Sequence, residues 1–240
     1  ISEVCVSGHL DAFVLPTITL ALLLAERERA ALAGGLIGAA ALMKLYPLLL
    51  LFALPHKSLS RTCAAMLAVI ATVYAIYALP VGIRVLGFLP DYVRTGEDFN
   101  LGLRGFLESA LSPWLPHARV VAMALCGLLL IAALIWLFER GGDDVFAKAG
   151  AVALAYLVFL PTAGHPWYAL WLVPFMAVHA LPAGLWIAAA LPLSYLKYGT
   201  DGDVMPPWVP IVIWVPALLL IGVHVVLHVR GHASKVPPRA

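Results

Sequence analysis

Charge is scarce in this chain. Only 12% of its 240 residues are charged, about half of the roughly 25% found in soluble domains. That scarcity excludes a soluble enzyme and a disordered chain. The formal net charge of +2 is too small to hold nucleic acid or another polyanion. Cysteine is equally sparse. Cys5, Cys63 and Cys126 lie far apart with no CxxC spacing, so neither a zinc site nor a disulfide framework is expected. Cys63 and Cys126 fall in apolar runs and read as packing residues. There is no internal repeat, no low-complexity stretch and no signal-peptide pattern before the first apolar run. The first residue is Ile1, and the chain reads as a piece lacking its N-terminal part.

Hydrophobic residues are abundant, at 63%, with a mean hydropathy of +0.97. The expected fold is all-α, a polytopic transmembrane helical bundle with broken or re-entrant helices. A bilayer core of about 30 Å needs about 20 apolar residues as helix. Thr62 to Ile83, Val120 to Phe138 and Val204 to Val229 qualify, the last with Trp208 and Trp214 as interface anchors. Ala149 to Leu196 is uncharged but too long for one helix. Its breaks at Pro161 to Pro166 and at Pro182 suggest three short segments, with two as the alternative. Residues 1–231 read as one membrane domain with an outer loop at 84–119, and residues 232–240 as a cytoplasmic tail.

The N-terminal region is less regular. Ala12 to Ala25 would cover roughly 21 Å as helix, and Glu26-Arg27-Glu28-Arg29 follows. Ala30 to Leu54 is apolar except for Lys44, which is followed by Tyr46 and Pro47. Two topologies compete. If every segment crosses once, Arg27, Arg29, Arg84, Arg94, Arg104, Arg119 and Lys197 share one side. Lys57, Arg61, Arg140, Lys148, Arg230, Lys235 and Arg239 share the other, a tie. If Ala30 to Leu54 instead enters, breaks near Lys44 and returns, the sides change. The inner side gains Lys57, Arg61, Arg140, Lys148, Arg230, Lys235 and Arg239 beside Arg27 and Arg29. The outer side keeps Arg84, Arg94, Arg104, Arg119 and Lys197. The second arrangement fits the positive-inside rule better. Pro47 breaks the helix and restricts Tyr46. Such a break is tolerated at membrane depth where it is buried or lines a cavity.

The re-entrant topology gathers Ser7 to Asp11, the turn at Lys44, the loop Arg84 to Arg119 and Gly164 to Tyr168 on one side. Lys44 is the most informative residue there. A lysine in an apolar stretch costs about 2.5–3.5 kcal/mol on insertion scales. It must pair, snorkel to the surface or bind an anion, and Asp11 is its nearest candidate partner. In Gly8-His9-Leu10-Asp11, His9 and Asp11 sit two residues apart at a helix start, where Asp11 can also serve as a cap. In Gly164-His165-Pro166-Trp167-Tyr168, Pro166 forces His165 into extended backbone. Trp167 and Tyr168 read as interface anchors that can also stack on a sugar. Asn100-Leu101-Gly102-Leu103-Arg104-Gly105 offers glycines for close backbone approach and an arginine able to fork onto phosphate. The other charges of that loop, Glu108 among them, read as solvated. Asp143 and Asp144 read as solubilising charge. His224 and His228 are four apart, but no third metal ligand accompanies them, so no metal and no cofactor is expected.

Gly8-His9-Leu10-Asp11, the charged turn, and Ala33-Gly34-Gly35-Leu36-Ile37-Gly38 leading to Lys44-Leu45-Tyr46-Pro47 resemble the C-type integral-membrane glycosyltransferases. The likeness is to the bacterial family-87 enzymes and the polyprenol-phosphate-mannose-dependent mannosyltransferases. Asn100 to Gly105 and His165 to Tyr168 fit the later part of that pattern. The resemblance runs from about Ser7 to about Pro174, and its motifs are short, so their order is the more specific signal. It implies transfer of a sugar, mannose by analogy, from a polyprenyl-phosphate donor to a lipid or glycan acceptor. The site would lie at the outer face of a bacterial plasma membrane. In an inverting transfer an acidic base deprotonates the acceptor hydroxyl while the lipid phosphate leaves.

On this reading Lys44, Arg104 and His165 hold the donor phosphate and line one cavity. His9, Asp11, Tyr46, Asn100, Trp167 and Tyr168 position substrates. The family's catalytic aspartate usually lies in the first outer loop, so it is expected upstream of Ile1. The catalytic residue is thus unknown; Asp11 is the one catalytic candidate in this piece, with a second site carboxylate or a positioning group as its other readings, and this piece alone is expected to be inactive. The competing readings are a transporter or lipid flippase with an intramembrane lysine, and a purely structural membrane subunit.

Overall fold

The structure, a computed structural model, describes residues 10–87, 99–159, 163–202 and 204–233. His9, Cys5, the loop charges Asp91, Arg94, Glu97 and Asp98, and the tail from 234 onward lie outside the described residues. Helices α1 (Asp11–Glu26) and α2 (Ala30–Met43) form the first pair. A 3-10 stretch, Tyr46–Ala53, leads to α3 (His56–Val81). Then come α4 (Leu103–Leu111), α5 (Ala118–Arg140) and α6 (Val145–Phe159). A 3-10 stretch, Pro166–Leu172, runs into the short α7 (Val173–Met176). Helix α8 (Pro182–Ala190) continues as a 3-10 stretch, Leu191–Gly199, and α9 (Trp208–Ala233) ends the bundle. Among the described residues three helical segments are long and apolar enough to cross a membrane: His56–Leu86, Ala118–Arg140 and Trp208–Leu227. The fold is an all-α membrane bundle.

The run from Ala30 to Leu54 is a re-entrant hairpin. A Cβ on Gly34 would meet the Thr62 carbonyl oxygen at 2.1 Å, and one on Gly38 would meet that of Met66 at 2.8 Å. These contacts advance in the same sense on both helices, so α2 and α3 run parallel. Parallel neighbours need a return path, and Tyr46–Ala53 supplies it. The turn is made at Lys44, whose backbone is extended (φ −149°, ψ 140°), just before the Tyr46-Pro47 pair that cannot continue an α-helix. Beyond it, 3-10 winding persists for eight residues, where three or four is usual. The return brings Lys57 Nζ to 2.5 Å from the Glu28 carboxylate in the α1–α2 turn. That exposed contact and the lysine charge hold the Glu28 carboxyl below its ordinary value. The pairing is therefore complete at neutral pH and is lost as pH falls through the lowered pKa.

Further contacts mark this end of the bundle. The His56 ring stacks on Phe138 at 3.8 Å, and Lys148 Nζ donates to the Phe138 carbonyl at 3.3 Å. His179 Nε2 lies 3.2 Å from Asp144 Oδ2. Asp144 Oδ1 also accepts the Ala147 N–H at 2.8 Å, so it caps α6 instead of serving as simple solubilising charge. Helix α6 rises from here. The Pro166–Met176 segment descends beside it, placing Phe175 and Leu181 within 2.9 Å of a Cβ built on Gly150. Helix α8 and its 3-10 extension then rise again, so the long uncharged run is three segments.

The packed interior is apolar: Ile18, Leu22, Ile37, Leu50, Leu157 and Phe175 are all sealed. Only Thr62 and Met66 of α3 are buried, which leaves most of that helix for lipid. Two sequence expectations change. Trp214 is no interface anchor, being 1% exposed, whereas Trp208 remains half-exposed. The loop from Arg84 to Arg119 contains α4 and is only partly solvated, because Arg104 is buried within it.

Two glycines side by side test the α2–α3 contact. Gly34→Ala should lower stability in detergent by about 1–3 kcal/mol through overpacking. Gly35→Ala meets only Val69 Cγ2 at 3.8 Å and should be neutral or slightly stabilising. Thermal unfolding of the two variants checks this.

Candidate functional site

The end of the bundle opposite the Glu28–Lys57 pair carries a buried carboxylate. Asp11 is the first residue of α1, one position past the N-cap residue Leu10, and is fully buried. Its Oδ1 accepts the indole N–H of Trp171 at 2.5 Å. Its Oδ2 faces Lys44 Nζ at 3.6 Å. Lys44 reaches it from the break after α2, and its side chain keeps 30% of its surface exposed. The geometry explains why a lysine is tolerated there. An ammonium in an apolar bundle needs a counter-charge, and a buried carboxylate needs both a cation and hydrogen bonds.

Trp171 anchors more than Asp11. Tyr46 stacks on its ring at 4.0 Å and Tyr168 at 4.2 Å, with Tyr156 tilted against it at 5.4 Å. Tyr168 presents its edge to His165 at 5.7 Å, and His165 lies between Trp167 at 4.1 Å and Phe99 at 5.0 Å. Lys44, Asp11, Tyr46, Tyr168, Trp167 and His165 thus belong to one continuous assembly. Trp167 and Tyr168 are stacked within it. His165 has the extended backbone expected before Pro166 (φ −69°, ψ 148°).

A backbone clamp closes the far side. Phe99 and Ala163 form a parallel bridge, and the Gly164 N–H donates to the Phe99 carbonyl at 2.7 Å. Asn100, at φ 49°, donates through Nδ2 to the Gly164 carbonyl at 3.2 Å. Its Oδ1 accepts the Trp214 indole N–H at 2.8 Å. A Cβ on Gly164 would lie 2.4 Å from the Asn100 carbonyl oxygen, so only glycine fits. Gly102, at φ 58°, approaches the Val158 carbonyl and the Trp214 ring. Its freedom serves packing within the protein rather than approach to a ligand.

Arg104 is carried on α4. It is 2% exposed, and its charge reaches Cys126 on α5. Glu108 follows one turn later with its Oε2 buried, which differs from the solvated role expected for it. Two contributors escaped the sequence reading. Trp171 follows Tyr168 by three residues, a same-face spacing that the Trp167-Tyr168 pair obscured. Lys197 projects its Nζ over the Phe99 ring at 4.9 Å, adding a cation beside His165. Among the described residues no cluster of three or more His, Cys, Asp or Glu side chains could hold a metal ion.

The assembly can grip an anion. Lys44 and Lys197 supply positive charge, and the stacked rings supply flat apolar faces. The Asp11 contact is testable. Trp171→Phe keeps the stack but removes the donor to a buried carboxylate, and should cost about 1.5–3 kcal/mol. Trp214→Phe strands Asn100 Oδ1 and should cost about 1–3 kcal/mol. Chemical denaturation in mild detergent measures both.

No curated protein and no solved structure matches the chain. The family model described as Glycosyltransferase family 87 matches residues 2–161. The match includes the Asp11 and Lys44 segments and Asn100 to Gly105. It ends four residues before His165, short of the reach to Pro174 that the resemblance suggested. It favours a transferase over the transporter, flippase and structural-subunit readings. The chain is an integral membrane protein and belongs to glycosyltransferase family 87.

Proposed function

We propose that the protein transfers a sugar, mannose by analogy, from a polyprenyl-phosphate donor to a lipid or glycan acceptor. The reaction is placed at the outer face of a bacterial plasma membrane. The observation that carries this reading is the Lys44 ammonium, held 3.6 Å from the buried Asp11 carboxylate yet partly exposed at a helix break. One face of the ammonium is tethered and the other is available to a phosphate. Contacts between a cation and phosphate are about twice as strong as neutral hydrogen bonds.

In the transfer, the bond between the anomeric carbon and the donor phosphate oxygen breaks. The polyprenyl phosphate leaves with that electron pair. The acceptor oxygen bonds the anomeric carbon, and its proton passes to a carboxylate base. Lys44, with His165 and Arg104, stabilises charge as it grows on the leaving phosphate. Asp11 is sealed and held by Trp171, so it positions Lys44 and does not act as the base. The aromatic faces of Trp167 and Tyr168 and the amide of Asn100 shape the sugar's surroundings, with Tyr46 bracing Trp171.

The decisive experiment measures sugar transfer from a polyprenyl-phosphate donor in membranes containing the full-length protein. Lys44→Ala should reduce turnover at least a hundredfold with unchanged expression, and Lys44→Arg should recover part of it. Normal turnover in Lys44→Ala would remove Lys44 from the mechanism. Sidedness is checked by labelling single cysteines in intact cells. One at position 197 should react with an impermeant reagent from outside, and one at position 57 should not.

A further inference from the structure

A cavity lined by none of the residues of the Asp11–Lys44 assembly runs along α6. It encloses about 490 Å³ between α5, α6, the start of α8 and α9. Along α6 it extends from Lys148 to Phe159, roughly 16 Å at about 1.5 Å per residue. Its walls are apolar, and Trp136, Leu220 and Val225 at its rim are each at least 36% exposed. Those exposed side chains belong to helices long enough to cross the bilayer, so the cavity opens toward lipid tails. Among the described residues two titratable side chains line it, Lys148 and His224, and no carboxylate does.

Lys148 is not an ordinary boundary lysine. The residue is 6% exposed, with its stem held within 3.1 Å of the place a Cβ would occupy on Gly141. Its ammonium donates to the Phe138 carbonyl at 3.3 Å and lies 5.8 Å from the centre of the Phe138 ring. An ammonium has three donors, so that carbonyl leaves donors to spare. Glu139 and Asp143 act on Lys148 electrostatically, but neither lines the cavity.

We propose that this cavity binds an anionic phospholipid of the surrounding bilayer. One acyl chain lies along α6 between α5 and α9, and the headgroup phosphate rests on Lys148. A slot open to the bilayer, apolar along its length and cationic at one end, matches that amphiphile. With a cation and an imidazole in the lining and no acid, a headgroup lacking its own ammonium is preferred. The site is separate from the donor site of the proposed reaction and does not depend on it.

Native mass spectrometry of the full chain in detergent tests the proposal. Phosphatidylglycerol and phosphatidylcholine with identical acyl chains are titrated separately. Phosphatidylglycerol should bind at least fivefold more tightly. Lys148→Gln should reduce the preference to less than twofold, and Ala155→Phe, which fills the slot, should weaken both lipids. Equal binding of the two lipids by the unaltered protein would overturn the proposal without need of a variant. So would an undiminished preference in Lys148→Gln. A polyprenyl phosphate that displaces phosphatidylglycerol at a tenth of its concentration would also overturn it, giving the slot to an isoprenoid chain.

Discussion

The carboxylate of Asp11 is sealed from solvent in a bundle that contains few charges, and much of the local architecture answers that fact. A buried carboxylate left without partners would be protonated or would disrupt its surroundings. Here one oxygen takes the Trp171 N–H and the other faces the Lys44 ammonium. Each partner carries its own requirement. Trp171 must be fixed in rotation, which Tyr46 and Tyr168 accomplish by stacking on its faces. Lys44 must project from a chain that is no longer α-helical, which the Tyr46-Pro47 pair enforces. Helix α1, the re-entrant hairpin and the Pro166–Leu172 stretch are thereby tied together by one side chain.

The same contacts join local geometry to chemistry. Stacked rings leave few rotamers to freeze when a ligand arrives, so the site is organised beforehand. The clamp between Asn100 and Gly164 fixes the far side through bonds that no side chain at position 164 would permit. Membership in glycosyltransferase family 87 gives this preorganised, partly cationic assembly a chemical setting, the handling of an activated sugar.

Much of this was legible in the sequence. The re-entrant run followed from the distribution of lysine and arginine, because the cost of translocating cations is recorded in composition. Lys44 stood out because an unpaired lysine in an apolar stretch is costly. Other features were hidden because they depend on contacts between distant segments. Trp214 reads as an interface residue in the sequence because the partner of its indole, Asn100, lies far away along the chain. Asp144 looked like surface charge until His179 and the Ala147 N–H were found beside it. Gly34 and Gly38 carry a small-xxx-small spacing that commonly marks close helix approach, but spacing alone does not say that the partner is α3.

The hairpin has a consequence for how the protein enters the membrane. Helix α2, at fourteen residues, spans roughly 21 Å, short of the roughly 30 Å hydrocarbon core. The Tyr46–Ala53 return is shorter still in residues. Neither arm is a self-sufficient insertion unit, and the lysine at the apex opposes entry. The loop and α1 therefore depend on one another at that depth, because Asp11 is the counter-charge beside the lysine at the apex.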